Sequence, residues 1–469
     1  MTRRFATGRA LSESVRRRLT NRPADGAATA GSADGELSMT GNSLALIASR
    51  VVAMGLGFLF WLLAARTFPA AQVGVAAAVV SAMMLCTNIA LFGLGSAVIS
   101  RLPHHREGPA PLLNAALTLV AVASGLAALV FLAVAAVGLP ELSVVAEDPV
   151  YAALFVACCV LGTLGLLLEQ TSTALRRGDH ALARGVASGL ITVLGLAAVV
   201  IVTDATDSVL LLGPWVAASA FVLALGIVQL YRTVHGYRTR WNARVPMARE
   251  LLVSGLPNHA LTLAERAPAL LLPVIVIEVL SPADNATWYA VWMMALVVFI
   301  VPMQVGMALF AEVASDAGRM RAAVRSAVAA ALAVGIPAAV VLAILAHPLL
   351  SLLGSAYADD GATPLRILVV AILPLTVVQA YFAACRGSGR LREAIATGWA
   401  SGIVALLVAA VAAGAGGLDA MAVGWLLAQS ATAAWAAVRL RRLNDSDPPV
   451  EPVAPVAAAD IGLSTAPPS

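Results

Sequence analysis

Long apolar runs alternate along the chain with short polar connections, and the length of each run suits a membrane-crossing helix. Such a helix needs about 20 mostly apolar residues to cross about 30 Å of hydrocarbon, and backbone groups cannot remain unpaired in lipid. Twelve runs meet this length, so the pattern predicts an all-α integral membrane protein with twelve transmembrane helices. The predicted spans are 44–65, 75–99, 112–138, 150–174, 183–203, 209–231, 252–280, 286–313, 322–346, 365–385, 392–413 and 419–438.

The composition agrees with a membrane protein and argues against several other classes. The 469 residues are 60% hydrophobic and 12% charged, whereas a soluble domain is about half apolar and about a quarter charged. All four cysteines lie inside apolar runs, which predicts neither a disulfide framework nor a zinc site. Connections are short and carry no glycine-rich nucleotide loop, so we expect no soluble catalytic domain. The polar segments 1–41 and 443–469 are predicted to be disordered tails.

The distribution of arginine predicts the orientation in the membrane. All 30 basic residues are arginine, and 26 of them lie in the two tails, in the even-numbered connections or in the first residues of the spans that follow these connections. The odd-numbered connections hold Arg66 and Arg366 together with many acidic residues, and Arg50 and Arg266 fall within spans. Because positive residues remain on the cytoplasmic side, both termini are predicted to be cytoplasmic.

The two halves of the chain repeat at an offset of about 213 residues. GVASG at 185–189 matches GWASG at 398–402, and Pro69 maps to Pro282. Six spans per repeat predict two six-helix halves related by a pseudo-two-fold axis along the membrane normal, and transporters built this way bind substrate between the halves. The predicted division is a half at 42–231, a cytoplasmic linker at 232–251 and a half at 252–442.

A polar stripe follows the span 252–280, where an acid and a base are adjacent. The stripe residues share one face at helical spacing, and the span is punctuated by prolines that bend helices. The stripe consists of Ser254, Asn258, Thr262 and Glu265, with Arg266 at its edge. Charges at membrane depth face protein or water rather than lipid, so the stripe either lines a cavity or makes structural ion pairs with neighbouring helices.

Other polar residues within spans extend the candidate cavity. The repeat offset places Arg50 opposite Leu263, about one turn before Arg266, although Arg50 could instead extend to the cytoplasmic interface. The further cavity candidates are Asn88, Gln304 and Gln379, and the candidates for ion coupling are Glu265 and Glu169. The histidines follow no ligand spacing, so no metal site is predicted.

The run GNSLALIASRVVAMGLGFLFWLLAARTFPAAQVGVAAAVVSAMM at 41–84 resembles the start of Wzx-like polysaccharide transporters, with an arginine in the first span and a turn containing Pro69 and Gly74. ALRRGDHALARG (174–185) and AACRGSGRLREA (383–394) resemble the basic turns of that family. The resemblance covers about 41–442. It implies membership of the multidrug/oligosaccharidyl-lipid/polysaccharide exporter superfamily.

The resemblance implies that the protein is a flippase rather than an enzyme. Its expected substrate is a polyprenyl-diphosphate-linked oligosaccharide, carried across the bacterial cytoplasmic membrane by alternating access. Arginine offers planar, multi-donor contacts to phosphate, which assigns the diphosphate to Arg266 and Arg50. No cofactor is expected, and H⁺ or Na⁺ coupling is left open. The expected partners are the lipid-linked oligosaccharide, membrane lipids and other polysaccharide-assembly proteins, but not nucleic acid, and we expect a monomer.

Three alternatives are weighed against this interpretation. A drug or cation extruder of the same superfamily would use cavity acids, and Glu169 and Glu265 are present. A polysaccharide polymerase or ligase usually needs a large outer loop, whereas the longest here is about 347–364. A major-facilitator transporter would carry a G-x-x-x-D-[RK]-x-G loop after the second span, and SRLPHHREG differs from it. The lipid II flippase branch typically has two further spans and is less favoured.

Overall fold

The computed structural model describes residues 39–102, 108–242, 244–315 and 317–445, and all regular elements in these ranges are helices. The helices are α1 Met39–Thr67, α2 Ala70–Ala90, α3 Leu94–Arg101, α4 Pro109–Gly138, α5 Val144–Glu147, α6 Pro149–Ala174, α7 Gly178–Val202, α8 Ser208–Thr233, α9 Val245–Val279, α10 Pro282–Ser315, α11 Met320–Ile344, α12 Ala346–Ser351, α13 Ser355–Val369, α14 Ile372–Gly387 and α15 Leu391–Asp445. Short 3₁₀ turns occur at Pro140–Leu142 and Ala317–Arg319.

Within the described residues, nine helices are long and apolar enough to cross a membrane, and the pair α13 and α14, bent by 46°, forms a tenth candidate. The chain is therefore an integral membrane protein. The predicted span 75–99 is divided between α2 and α3, where Phe92 and Gly93 adopt positive φ angles of 44° and 72°. The last two predicted spans both lie in α15, which leaves helical geometry at Gly416 and Gly417. Gly417 has a φ of 68°, which glycine adopts without a steric penalty.

The bundle has two chemically different ends. We call the end where α1, α4, α7, α9 and α11 finish the acidic end, and the end where α3, α6, α8, α10 and α14 finish the basic end. Acidic residues near the first are Glu141, Glu147, Asp148, Asp204, Asp207, Asp284, Asp359, Asp360 and Asp419. Arginines near the second include Arg101, Arg176, Arg177, Arg232, Arg319, Arg386 and Arg390.

The helices pack in two groups that meet along a narrow seam. In the first group α1 packs on α7, α4 packs on α6, and α6 and α7 pack on α8. In the second, α10 packs on α11, α13 and α14, and α15 packs on α9, α13 and α14. Most contacts between the groups come from α2 and α3 on one side and α9 and α10 on the other. The seam is therefore built from α2 and α3 of the first group and from α9 and α10 on the other side.

The buried side chains show where the two groups are joined. One large cluster at the acidic end includes both groups, for example Trp61 and Val79 from the first and Trp288 from the second. At the basic end the core divides into two clusters, one around Leu94 of the first group and one around Tyr381 of the second. The groups thus share one hydrophobic core at the acidic end and have separate cores at the basic end.

The tightest contact of the seam joins α2 to the start of α10 at the acidic end. A Cβ added to Gly74 would lie 1.6 Å from the carbonyl oxygen of Pro282, so only glycine allows this approach. The side chain of Asn285 donates from Nδ2 to the Gly74 carbonyl oxygen at 2.7 Å. Close by, the rings of Trp61 and Tyr289 have centroids 4.7 Å apart. Backbone contact, a buried hydrogen bond and aromatic packing close this end together.

A further link at the acidic end comes from Arg66, at the end of α1. Its Nε donates to the Leu352 carbonyl oxygen at 2.6 Å and its Nη2 to the Ser351 carbonyl oxygen at 3.1 Å. These carbonyls lie at the end of α12, where helical backbone acceptors lack intrahelical partners. The guanidinium therefore connects the two groups by satisfying acceptors that favour a positive charge.

Helix α9 belongs to both groups. Met247 and Leu251 in its first turns are buried in the cluster of the first group, whereas Leu261 is buried in the cluster of the second. Pro257 lies between them and has no N–H to donate to the carbonyl of Val253, so the helix is weakened there. The boundary between the two groups of helices therefore lies within α9.

The segment before α9 is held on the first group. The Nδ2 of Asn114 donates to the carbonyl oxygen of Arg238 at 2.8 Å, and the backbone N–H of Asn242 donates to Oγ1 of Thr118 at 3.0 Å. Both Asn114 and Thr118 belong to the first turns of α4. Residues 237–242 of the predicted linker 232–251 are thus docked on α4, whereas its two ends belong to α8 and α9.

Replacing Gly74 with Ala tests the seam. The new methyl group would overlap the Pro282 carbonyl, so the helices must separate, and we expect a loss of about 1–3 kcal/mol of stability. Thermal unfolding of the purified protein in detergent measures the change. The matched control is Gly57→Ala, because a Cβ at Gly57 meets nothing within 4 Å. Equal unfolding temperatures for Gly74→Ala and the wild type would contradict the proposed contact.

Candidate functional site

Arg266 lies on the face of α9 that is turned toward the first group of helices. His259 lies seven residues earlier and therefore on nearly the same face. It is buried against the break between α2 and α3, where a Cβ added to Gly93 would lie 2.9 Å from the Cβ of His259. Arg266 is two turns closer to the acidic end, and its side chain is exposed. A guanidinium at this depth avoids lipid. This argument places it against protein or water on the side of the first group, beside the face that carries His259.

Glu265 points in a different direction from its neighbour. Its Oε2 accepts a hydrogen bond from Nη2 of Arg386, on α14, at 2.5 Å. The two side chains are only 14% and 17% exposed, so the ion pair lies inside the second group. Consecutive residues of a helix point about 100° apart, which explains how α9 places the acid against α14 and the base toward the first group.

The polar residues before Glu265 lie along the same helix. Asn258 is exposed and Thr262 is half-buried. The Oγ1 of Thr262 donates to the Asn258 carbonyl oxygen at 3.2 Å, and the Oγ of Ser254 donates to the Glu250 carbonyl oxygen at 3.1 Å. Both hydroxyls thus bond to their own helix, and they leave oxygen lone pairs for other partners.

Asn88 lies at the end of α2, opposite the buried face of α9. Its side chain is half-buried and donates from Nδ2 to the Met84 carbonyl oxygen of its own helix at 2.8 Å. The His259 side chain faces the Asn88 backbone. At the same place Gly93 and Gly255 approach so closely that a Cβ on either would lie within 2.4 Å of the other's carbonyl oxygen. Asn88 and the α9 stripe are therefore neighbours across the seam.

The two candidate glutamines belong to other helices of the second group. Gln304 is exposed on α10, two residues after Pro302. Gln379 is half-buried on α14, and its backbone and side chain lie about 3.5 Å from where a Cβ on Gly306 would be. Since α10 and α14 pack tightly there, Gln379 lies deeper within the second group than Arg266.

Glu169 lies on α6, inside the first group, beside a buried arginine that the sequence did not single out. Arg184 is 4% exposed, its Nη2 donates to the Leu168 carbonyl oxygen at 3.0 Å and to Oγ of Ser172 at 2.8 Å, and its Nη1 donates to Gln229. The carboxylate of Glu169 adds a favourable charge. The sequence feature that could have indicated a buried partner for Arg184 is the pair Ser172 and Gln229, two polar residues on neighbouring spans.

The structure thus brings some predicted residues together and separates others. Arg266, Asn258 and Thr262 follow one helix beside Asn88, whereas Glu265 and Glu169 each lie next to an arginine of their own group. The side chain of Arg50 lies outside the described residues. Arg386 was considered only as part of a basic turn, because nothing in its local sequence indicates a partner 121 residues away.

Metal-binding potential is low in the described part of the chain. No group of three or more His, Cys, Asp or Glu side chains there has the geometry to hold a metal ion. All four cysteines are buried and free. The exposed charged residue on the described face of α9 is Arg266.

Comparison with known proteins identifies the family. The family model for "Polysaccharide biosynthesis protein" matches residues 39–297. An inward-facing multidrug resistance MATE family transporter of the MOP superfamily superposes with a TM-score of 0.61 at 14% identity, over 86% of this chain and 99% of that one. The lipid II flippase MurJ, in an inward closed conformation, superposes with a TM-score of 0.65 at 13% identity, over 85% and 87%.

A third similar structure is a MOP superfamily transporter from Pyrococcus furiosus, described as having a binding pocket of reverse polarity that suggests a different function. It superposes with a TM-score of 0.61 at 14% identity, over 86% of this chain and 95% of that one. None of the curated protein sequences matches the chain. At these identities the superpositions establish the fold, whereas the family model covers more than half of the sequence. The chain is an integral membrane protein of the polysaccharide biosynthesis protein family.

Proposed function

We propose that the protein flips a polyprenyl-diphosphate-linked oligosaccharide across the cytoplasmic membrane of a bacterium, for the synthesis of cell-surface polysaccharide. The observation that carries this proposal is Arg266, an exposed arginine on α9 near His259, which is buried against the first group. A diphosphate needs charged, multi-donor contacts in a water-filled cavity, and a guanidinium provides them. The protein acts as a transporter and not as an enzyme.

The proposal includes a finer description of the fold. Twelve spans form two six-helix halves, 42–231 and 252–442, related by a pseudo-two-fold axis along the membrane normal. The gap between α2 and α3, the bend between α13 and α14 and the break in α15 at Gly417 support counting α2 with α3 as one span, α13 with α14 as one and α15 as two. The basic end faces the cytoplasm by the positive-inside rule, and both termini are cytoplasmic.

The transport cycle follows from the position of the shared core. The groups share one core at the acidic end and have separate cores at the basic end, which supports a cavity that opens to the cytoplasm. The diphosphate and sugars enter there while the polyprenyl chain remains in the bilayer. Separation of the acidic end and closure of the basic end then expose the headgroup to the outer leaflet, as alternating access requires.

The main alternative is a cation extruder with the same fold. Such a protein needs a cavity acid that is free to bind a cation. Here Glu265 is paired with Arg386, and Glu169 lies beside Arg184. Pocket polarity has been linked to a difference in function in the transporter from Pyrococcus furiosus. The described charges therefore favour an anionic substrate. If the cycle is coupled to H⁺ or Na⁺, Glu265 and Glu169 remain the candidate acids.

Replacing Arg266 with Ala tests the diphosphate contact. The probe is undecaprenyl-diphosphate-linked N-acetylglucosamine in proteoliposomes, and its transfer between leaflets is measured with a membrane-impermeant sugar-modifying reagent. Loss of a charge-assisted contact should reduce the transfer rate about 10–100-fold. Arg266→Lys should be intermediate, because lysine lacks the planar fork. The matched control, Arg249→Ala, changes an exposed arginine of the same helix at its basic end and should leave the rate unchanged. Wild-type transfer by Arg266→Ala would refute the assignment.

Replacing Pro257 with Ala tests the bending point of α9. Alanine restores a backbone donor and favours a straight helix, so we expect a more stable protein that transfers the same probe several-fold more slowly. Pro268→Ala is the control, because Pro268 is buried within the second group, where it packs against Gly402. The Pro268→Ala variant should unfold at a lower temperature but transfer the probe at close to the wild-type rate. A wild-type rate for Pro257→Ala would contradict a hinge at this position.

A further inference from the structure

The ion pair between Glu265 and Arg386 is positioned to control the charge of the candidate cavity. Glu265 immediately precedes Arg266 in the chain, so its carboxylate is the nearest acid in sequence to the proposed phosphate contact. Arg386 approaches it from α14, on the side of α9 that faces away from the first group. With both side chains at most 17% exposed, solvent screens this pair far less than a surface pair.

A charge beside a binding residue strongly changes the affinity of that residue for an ion. A unit charge about 8 Å from a bound ion, at an effective dielectric constant near 20, changes the affinity for that ion roughly 10–30-fold. An uncompensated carboxylate at position 265 would therefore oppose an anion bound at Arg266 and attract a cation instead. The positive charge of Arg386 offsets the carboxylate and so favours an anion at Arg266.

A second ion pair in the same group provides a comparison. Arg439 on α15 donates from Nε to Oε1 of Glu393 at 2.8 Å, and the hydroxyl of Tyr381 donates to the same oxygen at 3.1 Å. This pair lies near the basic end, and neither member adjoins Arg266 in sequence. The same chemistry thus occurs once beside Arg266 and once where it joins the two parts of α15.

We propose that Arg386 is a specificity-determining residue: by pairing with Glu265 it cancels the carboxylate beside Arg266, and so selects a diphosphate-bearing lipid over an organic cation. This inference rests on the proposed function, in that Arg266 binds the diphosphate. Arg386 acts through Glu265 and does not contact the substrate. The polarity of the cavity is then set by a residue on another helix, outside the stripe that lines the cavity.

The test compares Glu265→Gln, Arg386→Gln and the double variant in the full chain reconstituted in nanodiscs. The probes are undecaprenyl diphosphate and the tetraphenylphosphonium cation, with binding followed by tryptophan fluorescence. Arg386→Gln should bind the diphosphate about 10-fold more weakly and the cation about 10-fold more tightly. Glu265→Gln should shift both affinities in the opposite directions. The double variant should return to within about 3-fold of the wild type for both probes.

The opposite signs distinguish control of polarity from a merely structural role. If the pair only stabilised the fold, both single variants would lose affinity for both probes, and the proposal would be overturned. A double variant as defective as Arg386→Gln would also overturn it, because Arg386 would then contact the diphosphate itself. If Arg386→Gln does not fold, Glu265→Gln decides: tighter diphosphate and weaker cation binding support the proposal, and weaker binding of both refutes it.

The control and the cation probe keep this inference separate from the proposed function. The double variant Glu393→Gln with Arg439→Gln removes the matched pair and should change neither affinity by more than about 3-fold. A wild-type protein that does not bind the diphosphate would refute the proposed function. Tetraphenylphosphonium binding would still decide the role of Arg386, since equal cation affinity in the wild type and Arg386→Gln would refute it.

Discussion

The structure depends on one steric constraint, the contact between the backbones of α2 and α10 at Gly74 and Pro282. Because no side chain intervenes, two groups of helices can bury their acidic-end residues in one continuous hydrophobic core. Close approach through small residues is the usual basis of helix association in lipid, where apolar burial alone gives little preference. The groups are therefore held together at the acidic end, whereas their cores are separate at the basic end.

Helix α9 separates two opposite charges because adjacent residues of a helix point about 100° apart. The acid at 265 turns into the second group and finds a guanidinium there, and the base at 266 turns toward the first group. A buried charge pair is costly to assemble and more costly to break, so the partner from α14 is an integral part of this helix's environment. Charge at membrane depth is thus distributed by helix orientation as much as by residue type.

Hydropathy predicted the all-helical membrane fold, because this signal is local and lipid imposes it directly. The polar stripe of α9 was visible from helical spacing for the same reason. The pairing of Glu265 with Arg386 and the contacts of Arg184 were not predictable, because they join residues far apart in sequence that only packing brings together. Hydropathy also does not show that one helix packs on both groups. The burial of Met247 and Leu251 in the core of the first group therefore could not be predicted from the sequence.

The shared membership of α9 makes its second part a lever arm. From Pro257 to Val279 the helix covers 22 steps of the chain, or about 33 Å at 1.5 Å per residue. A rotation of about 15° at the proline, similar to known subunit rotations, would displace the far end by about 9 Å. That displacement exceeds the reach of the Asn285 hydrogen bond several-fold. A small angular change at Pro257 is thus geometrically sufficient to disengage the seam at the opposite end of the molecule.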